Sequence, residues 1–375
     1  MNVIIIGNGT AGNSMAKTLG KHSDVHVTVY SNESVEFYSR PKLPQYLESL
    51  DVLKTLPIRE TDYTVKHEPI VRIYRDQKIA YREDGSPQPY DKLVIATGSH
   101  PRTLFQKEDF TGIHTLRNYS DAYGLIDSLN GGPVVVLGGG LLGLEAALAL
   151  KKKVKEVFVV ESADHILCKQ VNNEIAQILT KKLTEMGLTI IQGKGVKETL
   201  GKKHLEGIVL SDETTIKATT LLLSIGVIPA IDIAKDCGLD CGRAIKVNAQ
   251  CQTSDPDIYA VGDCAEYNGQ CPGLIPVALG MAKVASASIL GEETSYQAPT
   301  WPARFVAGDI KVAAFGCMEG EEITIRRDGD IEVYSVQDGI IRGIVLCGKL
   351  TSLAKATQLL GKPFDQAERE KNTTK

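Results

Sequence analysis

Residues 1–12 read Met1-Asn2-Val3-Ile4-Ile5-Ile6-Gly7-Asn8-Gly9-Thr10-Ala11-Gly12, and residues 133–143 read Pro133-Val134-Val135-Val136-Leu137-Gly138-Gly139-Gly140-Leu141-Leu142-Gly143. The two stretches share one grammar: a short apolar β-branched run, then G-x-G-x-x-G, then a helical pattern. Ala16 and Leu19 continue the apolar face of the first helix, and residues 25–30 read as the next strand. The second helix is rich in Leu and Ala, and residues 157–160 read as the strand after it. In this pattern Gly7 and Gly138 permit a tight turn, while Gly9 and Gly140 let a pyrophosphate approach the backbone. Gly12 and Gly143 let the helix pack closely on the strand. The residues that open the helices, Thr10 with Ala11 and Leu141 with Leu142, supply a helix N-terminus whose N–H groups suit a phosphate. Each unit closes with a later strand running into glycine, at Ala96-Thr97-Gly98 and Ser224-Ile225-Gly226. Two copies about 130 residues apart imply two nucleotide-binding domains, not a solenoid.

The acid that normally ends the second strand and binds the adenosine ribose separates the two units. In the second unit it is present as Glu161, with no Arg or Lys at Ser162, Ala163 or Asp164. A carboxylate there accepts from a ribose diol and repels a 2′-phosphate, which favours NADH over NADPH. Glu145, early in the second helix, either reaches the nicotinamide carboxamide or favours the positive helix end. In the first unit the equivalent position is Ser31, with Glu33 two residues later. Either Glu33 reaches back, or Ser31 makes one weaker bond, or the site binds its nucleotide less tightly. A third motif, Ile258-Tyr259-Ala260-Val261-Gly262-Asp263, ends an apolar strand in Gly-Asp. A carboxylate there is costly without a partner. A ribityl hydroxyl is suitable, and a cap for the helix downstream is the other reading.

The 375 residues exceed one ordinary domain. At 43% hydrophobic and 23% charged they can build a sizeable core. The predicted fold is α/β: two Rossmann-like domains plus a small C-terminal α+β domain. The expected boundaries are 1–115 with 240–300 for one nucleotide domain, 116–239 for the other, and 301–375 for the last, whose charged tail after Asp365 is expected to fray. A net charge of −4 without a basic block argues against nucleic acid or an anionic membrane as partner. No stretch approaches the roughly 20 apolar residues that span a bilayer. The eight cysteines are scattered, without C-x-x-C, and no secretory leader is visible, so a reducing cytoplasm is expected. Cys237-x-x-x-Cys241 lacks further ligands at zinc spacing, so no metal is expected.

Five motifs in register resemble the two-dinucleotide-binding-domain flavoproteins of the pyridine nucleotide-disulfide oxidoreductase type, with a glutathione-reductase-like fold. They are Gly7-x-Gly9-x-x-Gly12, Ala96-Thr97-Gly98, Gly138-x-Gly140-x-x-Gly143, Ser224-Ile225-Gly226-x-x-Pro229 and Ala260-Val261-Gly262-Asp263, covering roughly residues 1–290. The resemblance implies FAD at the first fold and at Gly262-Asp263, NAD(H) at the second, and a nicotinamide stacked on the flavin. Within the family the chain is most similar to NADH:rubredoxin reductases and the reductase domains of nitrite reductases. That likeness rests on Tyr38-Ser39-Arg40-Pro41-Lys42-Leu43, which implies Arg40, Pro41 and Lys42 beside the flavin, and on Leu274-Ile275-Pro276-Val277-Ala278. The latter implies a helix whose N-terminus, with Pro276 and Val277, faces the flavin pyrimidine edge. Departures are Ile275, where the family often has Trp, and Gln45, where some electron-transfer relatives have Lys. Lys42 is the substitute cation or a solvated loop charge.

The cysteine pairs of the family's disulfide reductases are absent, and residues 38–48 contain no single cysteine of the oxidase and peroxidase kind. Electrons are therefore expected to leave the flavin one at a time to a small carrier such as rubredoxin. Hydride transfer requires no acid-base side chain. The other readings are an NADH oxidase or a quinone or dye reductase, and a non-catalytic flavin- or nucleotide-binding redox sensor. Only about 75 residues follow Trp301, shorter than the dimerisation domains of the resembled relatives, so a monomer is expected.

Overall fold

The computed structural model describes residues 1–49, 62–105, 110–327 and 329–365. The expected frayed tail after Asp365 lies outside them. By contact the chain divides into two compact units. One comprises the described parts of Met1–Leu43, Leu50–Pro101 and Gly226–Pro299, the other those of Pro44–Ser49, Arg102–Ile225 and Thr300–Lys375.

In the first unit five parallel strands run in the order Ile258–Ala260, Lys92–Ile95, Asn2–Ile6, His26–Tyr30, Thr64–Lys66. The second unit repeats the arrangement with Ile113–His114, Thr220–Leu223, Val134–Leu137, Val157–Val160 and Thr189–Ile191. The central strands read as continuous apolar runs because helices cover parallel sheets on both faces. Val134, Val135 and Val136 are fully buried, as are Leu93, Val94 and Ile95. Each unit inserts an antiparallel three-stranded meander, Ile70–Tyr74 with Ile79–Arg82 and Pro87–Pro89 in one, and Val196–Leu200 with Gly207–Leu210 and Thr215–Lys217 in the other.

The first helix, Thr10–Leu19, buries Met15, Ala16 and Leu19 and packs against helix Ile275–Ile289. Helix Leu141–Lys151 buries Leu144, Ala147 and Leu150. Residues 303–348 form an antiparallel sheet in the order Ala303–Ala307, Ile310–Gly316, Ile340–Gly348, Asp330–Gln337, Glu321–Arg327, followed by helix Leu353–Leu359. This is the expected α+β element. Two of its strands, Ala303–Ala307 and Glu321–Arg327, are not evident in the sequence pattern.

Two expected boundaries move. Ile113–His114, placed by sequence with the first nucleotide domain, pairs with Leu221–Leu222 as the edge of the second sheet. Residues 227–239, placed with the second, begin with Val227–Pro229, which pairs antiparallel with Ser99–Pro101 of the first unit. Both short edge pieces follow their hydrogen-bond partner, not the glycine motif that guides the eye. The C-terminal sheet groups by contact with the second unit. Ion pairs from helix Asn173–Glu185 reach it: Lys182 to Asp309 at 2.5 Å and Glu174 to Arg326 at 2.6 Å. Residues 87–89 complete the first meander.

A Cβ built on Gly12 would stand 2.0 Å from the Gly7 carbonyl oxygen, a contact no side chain tolerates. Gly12→Ala is expected to cost about 1–3 kcal/mol through overpacking. Urea unfolding of the cofactor-free protein reads this, and an unchanged midpoint would contradict the close packing.

Candidate functional site

Both glycine loops leave the central strand of their sheet and enter a helix. Gly7 adopts φ +113° and Gly138 φ +115°, the region that glycine alone visits without strain. Gly12 and Gly143 are closed against the carbonyl oxygens of Gly7 and Gly138, 2.0 and 2.2 Å from a built Cβ. Gly9 and Gly140 differ in kind. Their φ values, −78° and −79°, suit any residue. A Cβ on Gly9 would find only Arg40 Nε, at 3.9 Å, and one on Gly140 nothing within 4 Å. Neither conformation nor internal packing explains these two glycines. Each leaves open the space a pyrophosphate needs against the backbone, so the residues present fit a dinucleotide.

The helices behind the loops carry the matching charge. Thr10–Leu19 and Leu141–Lys151 have glycine N-caps, no capping side chain and no acid in the first turn. Helices Tyr119–Asp127 and Asn173–Glu185 instead begin at Asn118 and Asn172, whose side chains accept from Asp121 N and Ile175 N. Uncapped N-termini keep their N–H groups and positive dipole end available to an anion. Thr10 and Ala11 open the first helix and Leu141 and Leu142 the second. Ala11 is buried and Leu142 is exposed.

Glu161 ends strand Val157–Val160 and its carboxylate is held on both sides. Oε2 accepts from Gly139 N at 2.7 Å, and Oε1 accepts from Ala163 N at 2.8 Å and the Ser162 hydroxyl at 3.3 Å. Gly139 N is the middle amide of the second loop, so the acid sits against that loop. Glu145 lies one turn inside the same helix, and burial pushes its carboxyl up.

In the first unit Ser31 occupies the position of Glu161. Ser31 N donates to Lys66 O at the adjacent strand end, as Glu161 N donates to Ile191 O. Its buried hydroxyl accepts from Glu33 N at 3.1 Å. The Glu33 carboxylate takes hydrogen bonds from the Tyr38 hydroxyl and the Arg40 guanidinium. Arg40 also stacks over Tyr38, 5.8 Å from the ring centroid. Arg40 thus carries Glu33 to the side of Gly9. Pro41 begins the short turn Arg40–Lys42. Lys42 is exposed and forms no ion pair among the described residues.

The third motif joins this unit. Gly262 adopts φ +81° between Ala11 and Ala278, whose Cβ atoms lie 3.3 and 3.8 Å from a Cβ built on it. The Asp263 carboxylate accepts from the Ser99 hydroxyl at 2.9 Å, and a Cβ on Gly273 would stand 3.9 Å from it. Thr97 donates to Ala230 O at 2.6 Å, and Ala230 N to Gly98 O at 2.9 Å, fixing the exit from the strand that ends at Ile95 and Ala96. Helix Ile275–Ile289 starts here with Pro276 in its first turn, no side-chain cap and no acid, and Val277 buried beneath. Cys264 is fully buried, its thiol pushed up by burial and donating to Ile95 O and Val261 O at 3.4 and 3.3 Å. It is a structural side chain. Gly226 (φ +96°) stands where Gly98 (φ +71°) stands in the first unit and groups by contact with that unit. Sequence reasoning missed Ser99, Tyr38 and Asn13. Ser99 directly follows a recognised motif, Tyr38 sits two residues from Arg40, and Asn13 directly follows the third glycine of the first loop.

Two dinucleotide cradles in one chain, with a third motif completing the first, define a two-nucleotide oxidoreductase class. Residues 1–282 match the pyridine nucleotide-disulphide oxidoreductase family, and the chain belongs to that family. It is 31% identical over 384 residues to a rubredoxin-NAD(+) reductase of Ectopseudomonas oleovorans, covering 98% of this chain and 97% of that protein. It is 29% identical over 358 residues to the NAD(P)H nitrite reductase of Bacillus subtilis (strain 168), covering 92% of this chain and 44% of that protein, so it spans less than half of the latter's length. The crystal structure of NADH:rubredoxin oxidoreductase from Clostridium acetobutylicum superposes with a TM-score of 0.84 at 25% identity, covering 99% of both chains. Family membership implies use of a flavin and NAD(H). No helix among the described residues is long and apolar enough to cross a membrane.

Two outcomes are expected. Gly140→Ala costs the apoprotein no more than a lost glycine N-cap, under about 1 kcal/mol. The same change weakens NADH binding by about tenfold or more, read by calorimetric titration, because the methyl occupies the phosphate space. Equal binding would show the cradle to be unused. Glu145 has a folded pKa above its ordinary 4.5, so its contribution to stability is complete below that value and is lost as pH rises through the folded pKa. Glu145→Gln is therefore expected to shrink the fall in thermal midpoint between pH 4 and pH 7 relative to wild type, and a fall identical to wild type would refute it.

Proposed function

We propose that the chain is an NADH-dependent FAD reductase that delivers electrons to a small one-electron carrier protein of rubredoxin type. The first unit holds FAD and the unit containing residues 102–225 holds NADH. The observation that carries this reading is the pair of equivalent open cradles at Gly9 and Gly140, of which only the second has a carboxylate at its strand end, Glu161, bonded to its loop. The likeness to rubredoxin-NAD(+) reductase over nearly the full length of both chains supports the carrier.

FAD, when bound, supplies the conversion from a two-electron donor to one-electron delivery. The balanced reaction takes one NADH and two oxidised carriers to NAD⁺, two reduced carriers and one proton. The protein's own residues bind and orient. Backbone N–H groups at the two glycine loops hold the pyrophosphates, and the helices behind them add positive potential. Glu161, already fixed by Gly139 N and Ala163 N, accepts the ribose hydroxyls and repels a 2′-phosphate. Asp263, aligned by Ser99, accepts from the flavin's ribityl chain. The uncapped N-terminus at Ile275 and Pro276 and the cations Arg40 and Lys42 serve the flavin side. Residues 38–48 contain no cysteine and Cys264 is buried, which agrees with electron exit without a thiol relay.

Anaerobic stopped-flow mixing with NADH and with NADPH tests the reading. NADH is expected to bleach the flavin band faster than NADPH by about one order of magnitude or more, and Glu161→Gln to narrow that gap. Adding oxidised rubredoxin restores the band faster than O₂ does. Bound FAD that neither nucleotide bleaches would overturn the reductase reading, and faster restoration by O₂ would replace the carrier with oxygen.

A further inference from the structure

Asn13 is a polar side chain, 4% exposed, in the first turns of the helix behind the first glycine loop. Its amide Nδ2 donates to Asn8 Oδ1 at 3.2 Å and to the Tyr63 hydroxyl at 3.0 Å. Asn8 is the middle residue of the loop, between Gly7 and Gly9. Tyr63 directly precedes strand Thr64–Lys66 and packs against the core of the same unit.

The second fold provides an internal comparison, because backbone bonds put the two folds in register. Gly7 N donates to Tyr30 O as Gly138 N donates to Val160 O, and Asn13 N donates to Gly9 O as Leu144 N donates to Gly140 O. Asn13 therefore corresponds to Leu144, which is fully buried and apolar, and Asn8 corresponds to Gly139. In the second fold the middle residue of the loop is strapped from the strand side, Gly139 N to Glu161 Oε2 at 2.7 Å. In the first fold the residue at that strand position is Ser31, whose hydroxyl accepts instead from Glu33 N. The first fold thus lacks the carboxylate strap and has a buried amide where its counterpart has a leucine.

We propose that Asn13, with Tyr63 and Asn8, is a strut that takes over the work of the missing acid: it holds the first glycine loop in the geometry that receives the dinucleotide pyrophosphate. Asn13 is a positioning residue acting through Asn8. A buried amide is retained only where its hydrogen bonds are made, and both of its N–H groups are used here. One fixes Asn8, and the other anchors the pair to Tyr63 beside the sheet edge. The inference rests on the assignment of FAD to the first fold.

The test exchanges each residue for the one the second fold uses. Asn13→Leu keeps the branching at Cγ and removes both hydrogen bonds, and Asn8→Gly removes the acceptor. Apoprotein is titrated with FAD, and ADP, which carries the same pyrophosphate and no flavin, is titrated by its displacement of bound FAD, so that only the first cradle is read. Asn13→Leu is expected to weaken FAD and ADP alike by about tenfold, the value of one or two buried hydrogen bonds. Asn8→Gly is expected to do the same, and the double variant to lose no more than either single one. The thermal midpoint of the apoprotein separates this from a purely structural role: Asn13→Leu leaves it at or above wild type. Unchanged affinities, additive losses, or a loss confined to FAD would overturn the strut. Wild-type apoprotein that takes up neither ligand would overturn the FAD assignment and the strut with it.

Discussion

Gly7 approaches the end of strand Lys92–Ile95 so closely that a Cβ would stand 2.3 Å from the Ala96 carbonyl oxygen, and Gly138 meets the Ser224 carbonyl at the same 2.3 Å. This approach fixes how each central strand leaves its sheet. With φ near +115° the chain turns over the neighbouring strand instead of continuing along its own, and the third glycine of each motif then rests on the carbonyl of the first. Strand, loop and helix are thereby locked through backbone atoms alone. The helix N-terminus is delivered to the carboxyl edge of the parallel sheet, where open α/β folds bind their ligands. The shared strand order of the two sheets and the placement of Asp263 and Glu161 follow from that delivery.

Electrostatics then separates working helix ends from structural ones. Asn118 and Asn172 satisfy backbone donors on helices where nothing else does, and acids occupy their first turns. The helices at residues 10, 141 and 275 begin without caps and without acids. With glycine at the cap, as at Gly9 and Gly140, omitting a capping side chain costs only about a few tenths of a kcal/mol. The omission falls at the glycine loops and beside Gly262, the places where the proposed reading puts the nucleotides.

Much of this was legible in the residues. The two motifs, the apolar runs before them and Glu161 after the second are read at fixed spacings set by strand and helix periods, and the structure brings them together. Less legible were features whose cause lies in partners remote in sequence. Ile113–His114 and Val227–Pro229 are too short to carry a pattern and are strands only because Leu221 and Ser99 lie alongside. The Ser99–Asp263 bond spans 164 residues and leaves no local trace. Arg40 was read from a resemblance, yet its pairing with Glu33 depends on the turn that Pro41 helps set. The different tasks of Gly9 and Gly12 were legible from their places in the motif, but not how tightly each is enclosed: a Cβ on Gly12 meets the Gly7 carbonyl at 2.0 Å and one on Gly9 meets only Arg40 Nε at 3.9 Å.

The two folds share a grammar and diverge where their ligands pose different problems. On the proposed reading the second fold presents a carboxylate to the ribose, held by Gly139 N and Ala163 N, which would meet a diol without rearrangement and a 2′-phosphate with repulsion. A nucleotide that must be told apart from its 2′-phosphorylated form requires such a charge. On the proposed reading the first fold holds FAD, which has no 2′-phosphorylated competitor, and a discriminating carboxylate at that position has no task there. What remains necessary is that the loop keep its shape. A neutral amide buried behind it, Asn13, does this without a second anion beside two phosphates, while the nearby carboxylate of Glu33 is neutralised by Arg40. The replacement of Glu161 by Ser31 between repeats is then a relocation of the brace from the strand side of the loop to the helix side, with the charge removed because selectivity is no longer asked of it.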